Sequence, residues 1–319
     1  MNIEEKLSII MPAYNCDKYL EKCVNSVLDQ DYINFELIII NDGSTDTTAD
    51  ICENLKQKDS RIKVIHSENK GPSAARNIGL KYAKGKFLTF IDSDDELNRS
   101  AYSRMIKEIK KQNVDILVGQ WNIIDENRKS KKSNITPVGK FDNQEVIKSI
   151  INDDLKFGGG FPWNKMIDWE KVKKNAGRTI YFNEELFIYE DKCWILEILK
   201  YCKKVFVSNI YNYNYYIRKN SLSHSYENNQ KRIQMIEKSY YYMKKFLKEP
   251  QYIIEIEKGL EMNQLNLIWY RFKGKLIHND KCWERYILQK KYSVKEYSQV
   301  MKIKFYILKI YFKIKKRSV

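Results

Sequence analysis

The first hundred or so residues alternate between short apolar segments and amphipathic ones, and this alternation constrains the fold more than any other feature. The apolar segments have the length of buried strands and lie at 7–11, 35–40, 62–65 and 86–91. Apolar side chains recur between them at helical spacing, which predicts helices from about Asp17, Thr47 and Gly71. Strands alternating with helices in this way predict an α/β fold, Rossmann-like, with a mostly parallel sheet and helices on both faces.

The pattern loosens beyond about residue 125. A further helix and strand are predicted near 98–112 and 114–119. The later features are a polar, basic loop at 127–133, a glycine run at 158–160, a helix from Glu190, a strand near 205–207 and a tyrosine-rich exit at 211–216. From about residue 227 the pattern is mainly helical. We therefore expect one α/β domain over residues 1–217, in two parts (1–100 and 101–217), and a helical C-terminal extension over 218–319.

The chain of 319 residues carries a formal net charge of +16. Such a surplus is typical of proteins that bind nucleic acid, an anionic membrane or an anionic substrate. Biased codon usage explains it equally well, because lysine, asparagine, isoleucine, tyrosine and phenylalanine are abundant together. Charge alone therefore selects no partner.

Cysteine, histidine and targeting patterns indicate the cellular context. The six cysteines are scattered, with no C-x-x-C pair, which favours a reducing compartment, and three histidines argue against a histidine-built zinc site. The acidic amino terminus lacks the features of a secretory signal, and no run of about 18 apolar residues occurs. We expect a cytoplasmic protein.

An acidic cluster, Asp92-Ser93-Asp94-Asp95, directly follows the fourth predicted strand. Ligands of open α/β sheets bind beyond the carboxyl ends of the strands, and polar clusters also follow the first and second predicted strands. Carboxylates suit Mg²⁺ or Mn²⁺, which complete their coordination with substrate phosphates and water. The cluster therefore predicts a nucleotide diphosphate site, although an isolated acidic loop is more often a helix N-cap.

Competing motifs fit poorly. An EF-hand loop starting at Asp92 needs glycine at its sixth position, where the chain has Leu97. Neither G-x-x-x-x-G-K-[ST] nor G-x-G-x-x-G occurs.

Four segments in this order and spacing resemble glycosyltransferase family 2. They are SIIMPAYN at 8–15, INDGSTD at 40–46, GPSAARNIG at 71–79 and FIDSDD at 90–95. The close resemblance covers about the first hundred residues, and a weaker one continues through Trp163-Asn164-Lys165 and Tyr189-Glu190-Asp191 to Arg218. The resemblance implies a GT-A fold and a metal-dependent, inverting transfer of a hexosyl group from a UDP-sugar.

The resemblance also implies roles for single residues. Pro12, Ala13 and Tyr14 would border the base, Asp42 would contact the uracil or ribose, and Arg76 would lie near the diphosphate. Asp92 would lie near the ribose and donor sugar, Asp94 would be the metal ligand, and Asp191 the general base. The implied donor-binding set is Pro12, Ala13, Tyr14, Asn15, Asp42, Gly43, Ser44, Arg76, Asp92, Ser93 and Arg218.

Most of these residues also have an ordinary structural interpretation. Asp42 beside Gly43 is typical of an Asx turn, and Arg76 of a solvated helix position. Gly79 is better explained by close packing of helix on sheet than by ligand contact. Glu190 and Asp191 are favourable at a helix N-terminus whatever their chemistry, although Glu190 would also raise the proton affinity of Asp191.

The acceptor side is less sharply marked. The glycine run before Phe161-Pro162-Trp163 suggests an aromatic acceptor shelf, with Trp163, Asn164 and Glu190 as tentative acceptor residues, but a tryptophan packed in the core fits as well. Arg218 with the stretch 221–223 could form a lid over the diphosphate.

The carboxyl tail, residues 301–319, is basic, with no acidic residue. On a helix four of its lysines (Lys302, Lys309, Lys313, Lys316) cluster on one side, and its isoleucines (Ile303, Ile307, Ile310, Ile314) form an apolar ridge. This pattern is typical of an interfacial helix attracted to anionic lipid, or of a packed closing helix with solvated lysines.

The leading hypothesis is an enzyme that extends a glycan acceptor, lipid-linked, in capsule or exopolysaccharide synthesis at the inner face of the plasma membrane. A sugar-nucleotide nucleotidyltransferase is the second enzyme class, but its glycine-rich, basic amino-terminal signature is missing from 11–15. A nucleic-acid-binding module is the third, but carboxylates lie at the expected binding edge, so no nucleic-acid partner is expected.

Overall fold

The computed structural model describes residues 5–133, 135, 137–218, 229–273, 304 and 306–309. All its strands belong to one sheet, and most of its helices are amphipathic. The strands are β1 (Leu7–Ala13), β2 (Phe35–Asp42), β3 (Ile62–Ser67), β4 (Phe87–Phe90), β5 (Glu96–Leu97), β6 (Ile116–Ile124), β7 (Ser130–Lys132), β8 (Gly139–Asp142), β9 (Lys165–Asp168) and β10 (Lys204–Tyr216). The helices are α1 (Asp17–Leu28), α2 (Thr48–Lys58), α3 (Pro72–Tyr82), α4 (Ala101–Gln112), α5 (Asn143–Ile151), α6 (Trp169–Ala176), α7 (Glu190–Leu199), α8 (Asn229–Phe246) and α9 (Pro250–Lys273).

The first half of the chain folds as its alternating pattern predicts. Strands β3, β2, β1 and β4 lie side by side and pair in parallel, so their carboxyl ends share one edge of the sheet. β1 and β2 are almost wholly buried because their side chains are apolar at successive positions. The helical spacing predicts one apolar face for α1, formed by Leu20, Cys23, Val24, Val27 and Leu28. The first four are buried, and Leu28 is half-buried against the core.

A glycine permits α3 to approach this sheet closely. A Cβ atom on Gly79 would lie 2.5 Å from Ile10 Cγ2 and 3.0 Å from Ile40 Cδ1. Larger side chains at this position would force the helix off the sheet. The packing interpretation of Gly79 is confirmed.

The second half extends the sheet in mixed orientation. β9 runs antiparallel between β4 and β6, and β10 pairs in parallel with β6. Eight strands thus lie in the order β3-β2-β1-β4-β9-β6-β10-β5, while β7 pairs with β6 and β8 with β10 off this path. The sheet is mostly parallel in its long strands, as predicted. Residues 127–133 are not wholly loop, because 130–132 form β7 and pair antiparallel with the end of β6.

The helical extension begins with α8 and α9, which pack on each other and on α7 and α5 respectively. Mainly helical structure is confirmed for 229–273. In the tail, the structure describes Lys304, whose Nζ donates to Asn266 Oδ1 (3.0 Å), and 306–309, where Leu308 is buried. The tail residues Lys302, Ile303, Ile310, Lys313, Ile314 and Lys316, and the stretch 221–223, lie outside the described residues.

Across the described ranges, the helices are too short or too polar to cross a lipid bilayer.

Candidate active site

The loops that follow β1 and β2 are fastened to each other. The backbone N–H of Asn15 donates to Ser44 Oγ (3.0 Å), and the N–H of Thr45 donates to Asn15 Oδ1 (2.8 Å). Ala13 is buried at the end of β1, whereas Tyr14 is 43% exposed. Tyr14 therefore presents an aromatic surface at the carboxyl edge of the sheet, where the sequence predicts a base to bind.

Asp42 fastens the next loop. Its carboxylate accepts hydrogen bonds from the backbone N–H groups of Lys70 (3.0 Å) and Gly71 (2.8 Å), just before α3. Gly43 has a φ of +66°, and a Cβ there would lie 2.6 Å from Asn69 N. Asp42 thus holds the loop before α3 and is itself buried, while its contact with a uracil or ribose stays a prediction.

The acidic cluster after β4 lies beside these loops. The Asp92 backbone N–H donates to the Tyr213 hydroxyl (3.1 Å), and Ser93 is buried. Asp95 accepts from the backbone N–H of Tyr216 (2.8 Å) at the end of β10, and its other carboxylate oxygen is buried with no hydrogen-bond partner. Asp95 therefore joins the loop after β4 to the end of β10.

Arg76 occupies the centre of the site. Its guanidinium contacts three carboxylates: Asp191 Oδ1 at 2.7 Å, Asp92 Oδ1 at 3.5 Å and Glu190 Oε1 at 3.7 Å. The residue is only 5% exposed, so the interpretation of Arg76 as a solvated helix position is wrong. One buried cation thereby connects α3, the acidic cluster and the first turn of α7.

Burial perturbs the acids around Arg76. Burial raises the pKa of Asp191 to about 7; the Arg76 charge opposes this rise, and the neighbouring Glu190 adds to it. Burial likewise raises the pKa of Asp92 to about 6, again against the effect of Arg76. The predicted influence of Glu190 on Asp191 is thus confirmed in direction, but desolvation is the larger cause. A carboxylate with a pKa near 7 suits proton transfer at neutral pH.

Asn77 and a stack of aromatic rings bring α3 and α7 together. The Asn77 amide donates to Phe182 O (2.9 Å), and the Phe182 N–H donates to Asn77 Oδ1 (2.7 Å). The ring of Phe182 stacks on Trp194 of α7, with centroids 4.4 Å apart. Asp191 therefore reaches Arg76 through packing between segments that are distant in sequence.

Arg218 closes the other end of the acidic cluster. Its Nε lies 3.0 Å from Asp94 Oδ2, and its Nη2 donates to the Asp94 carbonyl. The guanidinium also lies over the ring of Tyr19, 3.7 Å from its centroid. Arg218 is placed where a diphosphate bound at Asp94 would meet a positive charge.

Trp163 lies in an aromatic cluster. It stacks on Tyr213 (4.5 Å between centroids), Phe161 (5.2 Å) and Tyr215 (6.0 Å) and is 6% exposed. Most of the Trp163 side chain is therefore packed in the core, as the alternative to an acceptor shelf predicted. Asn164 has no exposed surface, and its amide donates to Gly158 O (2.9 Å), so in this structure it supports the glycine loop and does not face an acceptor.

The buried Lys165 is a residue whose importance the sequence pattern does not reveal. Its ammonium donates to Gly159 O (2.8 Å), Phe161 O (2.8 Å) and Asn164 Oδ1 (2.9 Å), which cross-links residues 158–164. Burial lowers its pKa to about 7, and the nearby Asp191 charge opposes this effect. A lysine beside Met166 and Ile167 in a buried strand is the one signal that could have indicated this role.

Comparison with known proteins agrees with this geometry. Residues 8–171, a little over half of the chain, match the family model of the glycosyl transferase family 2. The chain belongs to this family.

Two curated relatives carry glycosyltransferase names. The chain is 31% identical over 235 residues to the glycosyltransferase GlyA of Streptococcus pneumoniae, covering 70% of this chain and 32% of GlyA. It is 31% identical over 195 residues to the GalNAc(5)-diNAcBac-PP-undecaprenol beta-1,3-glucosyltransferase of Campylobacter jejuni, covering 60% of this chain and 59% of that enzyme. The chain thus spans less than two thirds of either relative.

A solved structure shares the fold. The crystal structure of Staphylococcus aureus TarS 1–349 in complex with UDP-GlcNAc aligns with a TM-score of 0.67 and 24% identity, covering 88% of this chain and 78% of that one. The expected GT-A fold is confirmed.

Proposed function

We propose that this glycosyltransferase moves a hexosyl group from a UDP-sugar to a hydroxyl of a glycan acceptor, with inversion at the anomeric carbon. The observation that carries the proposal is the contact of Asp191 with Arg76, 2.7 Å apart, beside Asp92. This arrangement holds a carboxylate of raised pKa next to the loops that the family uses for its donor. An ionised carboxylate placed there can accept the proton of the acceptor hydroxyl during attack.

The reaction is an in-line displacement. The acceptor oxygen attacks the anomeric carbon as its proton passes to Asp191, and the bond to the UDP oxygen breaks on the opposite side. Arg76 and Arg218 would stabilise the charge that develops on the departing diphosphate. Attack from the face opposite the leaving group inverts the anomeric centre.

Uridine recognition is supported by the aromatic surface of Tyr14 beside the fastened loops after β1 and β2. The shared fold with TarS, whose crystal structure contains UDP-GlcNAc, supports the same donor class. Pro12, Asn15, Asp42, Gly43 and Ser44 would complete the nucleotide site.

A divalent ion fits Asp94. The side chain of Asp94 is 40% exposed and forms an ion pair with Arg218. Mg²⁺ typically binds only one or two protein carboxylates besides phosphate oxygens. Within the described ranges no group of three or more potential ligands assembles, so the remaining ligands would come from the diphosphate and water. When bound, Mn²⁺ or Mg²⁺ would neutralise charge on the leaving UDP.

The acceptor would approach Glu190, Asp191 and the edge of the aromatic cluster at Trp163. A lipid-linked saccharide in capsule or exopolysaccharide synthesis is supported by the name of the Campylobacter relative, which includes a saccharide joined to PP-undecaprenol. Such an acceptor would place the enzyme at the inner face of the plasma membrane, with 301–319 as a contact for anionic lipid.

Two substitutions test the chemistry. Asp191→Asn should bind UDP as the wild type does but turn over on the order of a hundredfold more slowly or worse. Asp94→Ala should lose the part of donor affinity that depends on added Mn²⁺. Glu185→Gln is the matched control, because this exposed carboxylate pairs only with Lys238 in the described structure (3.0 Å). Near-normal turnover of Asp191→Asn would show that another residue is the base. Equal UDP affinity of the wild type with and without metal would contradict the assignment of Asp94 as a metal ligand.

A further inference from the structure

The residue that precedes Glu190 and Asp191 has an unusual backbone conformation. Tyr189 has a φ of +62°, in the left-handed region that bulky residues rarely adopt. Asp153, after α5, is also left-handed, with a φ of +55°. Conformations of this kind persist where the surrounding structure fixes them, and they concentrate at functional sites.

The side chains of these two residues meet in a hydrogen-bonded polar group that we name the Lys192 cluster: Asp153, Tyr189, Lys192, Tyr240 and Asn263. Lys192 and Tyr240 are buried, Tyr189 and Asn263 are half-buried, and Asp153 is exposed. The Lys192 ammonium uses its three protons on Asp153 Oδ1 (2.8 Å), Ile151 O (2.9 Å) and the Tyr240 hydroxyl (3.0 Å). Lys192 is 4% exposed, so this is an internal cation with every proton bonded.

Asn263 of α9 completes the cluster. Its amide nitrogen donates to Asp153 Oδ2 (2.8 Å) and to the Tyr240 hydroxyl (3.0 Å), and its carbonyl oxygen lies 2.7 Å from the Tyr189 hydroxyl. One side chain of the helical extension therefore holds both left-handed residues and α8 at once.

Helix α8 makes a second set of contacts to residues at the start of α7. Ser239 Oγ donates to Ile188 O (2.5 Å), and Cys193 Sγ donates to Ser239 O (3.7 Å). Together with the Lys192 cluster, these bonds fix residues 188, 189, 192 and 193, which surround Asp191 in the chain. The carboxylate of Asp191 itself bonds Arg76 of α3.

We propose that Tyr189 and Asn263 are positioning residues for the transfer reaction. The helical extension holds the first turn of α7 in the one placement that keeps Asp191 against Arg76 and in line with the acceptor. This inference rests on the proposed role of Asp191 as the base. It makes α8 and α9 part of the catalytic apparatus through Tyr240 and Asn263, which hold α7 in place and are not proposed to touch substrate.

The test uses Asn263→Leu and Tyr189→Phe in the full chain. Leucine keeps the branching of the Asn263 side chain at a somewhat larger volume and removes its hydrogen bonds. Phenylalanine keeps the Tyr189 ring and removes only the hydroxyl. Glu257→Gln is the control, because it breaks an exposed α8–α9 ion pair with Lys244 (2.9 Å) outside the Lys192 cluster. Transfer rate at saturating substrates, UDP affinity and thermal unfolding are measured for each variant.

We expect the transfer kcat to fall about tenfold or more in Asn263→Leu and less in Tyr189→Phe, since small misplacement of a reacting group is costly. UDP affinity should stay within about twofold. The acid limb of the pH–rate profile should also move to higher pH, because Asp191 would lie farther from the Arg76 charge while Glu190, Asp92 and Lys165 still face it. Glu257→Gln should match the wild type.

A normal kcat in both variants would overturn the inference. So would a reduced kcat with an unmoved acid limb, because that result indicates general loosening of the fold. Should Asn263→Leu not fold, Tyr189→Phe alone decides by the same two measurements. If Asp191→Asn is inactive while Asn263→Leu and Tyr189→Phe are fully active, only the positioning role is refuted. If Asp191→Asn is active, the assignment of Asp191 as the base is refuted, and this inference with it.

Discussion

Replacing Arg76 with methionine should move the pH dependence of transfer to higher pH. Asp191 can act as a base only when ionised, so the rate rises with pH through its pKa, which is about 7. The Arg76 charge stabilises the ionised form from 2.7 Å. Without that charge the pKa of Asp191 rises further, and the acid limb of the kcat profile follows it.

The size of the shift can be worked from this geometry. Unit charges about 4 Å apart interact by about 4 kcal/mol at an effective dielectric constant of about 20, which corresponds to about three pKa units. Asp191 keeps 23% of its side chain exposed, and Arg76 is shared with Asp92 and Glu190, so about half of that effect is expected. The acid limb should therefore rise by about one to two pH units.

The assay is kcat measured from pH 5 to 10 at saturating donor, because Arg76 is also proposed to contact the diphosphate. Arg76→Lys is the control; it keeps a charge and should shift the limb much less. Urea unfolding should show a loss of about 3 kcal/mol in Arg76→Met, from carboxylates left without their buried cation. In the wild type the raised pKa values of Asp191 and Asp92 mean that stability falls as pH rises from about 4 to about 7, and in the variant this decline should continue to higher pH. An acid limb that coincides in Arg76→Met and wild type would refute the reasoning.

Two other predictions concern Lys165 and the carboxyl tail. Lys165→Met should lower the free energy of unfolding in urea by about 2–4 kcal/mol, because Gly159 O, Phe161 O and Asn164 Oδ1 lose a charged donor. The variant should also raise the KM for the acceptor with little change in UDP affinity. A normal acceptor KM would show that residues 158–164 do not shape the acceptor site. Deleting 301–319 should weaken co-sedimentation with anionic vesicles at low salt and spare binding to neutral ones, and unchanged co-sedimentation would leave the tail as a packing element only.

The sequence predicted the fold of residues 1–100 well because local pattern and global structure agree there. The strands are continuous apolar runs, the helices carry apolar side chains at helical spacing, and the polar residues cluster where strands end. Gly79 is an instance in which residue type and packing need coincide, since only a glycine lets α3 lie against Ile10.

The structure beyond residue 100 was harder to predict because its contacts join residues far apart in sequence. Arg76 and Asp191 are separated by 115 positions, and no periodicity connects them. The antiparallel insertion of β9, a four-residue strand, depends on its pairing with β4 and β6 and leaves no local signal. Lys165 and Lys192 resemble surface lysines by type, and only their surroundings show that each is buried and fully bonded.

The mutual fastening of the loops after β1 and β2, together with the hold of Asp42 on the loop before α3, has an evolutionary consequence. All of these hydrogen bonds join residues within 13–71, so the conformation of these loops does not depend on what the later part of the chain recognises. Under the proposed function, related chains could therefore use different sugars through changes beyond about residue 120, while the proposed nucleotide-binding loops stay the same. Comparing donor affinity across chimeras joined near residue 113, in the turn between α4 and β6, would measure how far this separation extends.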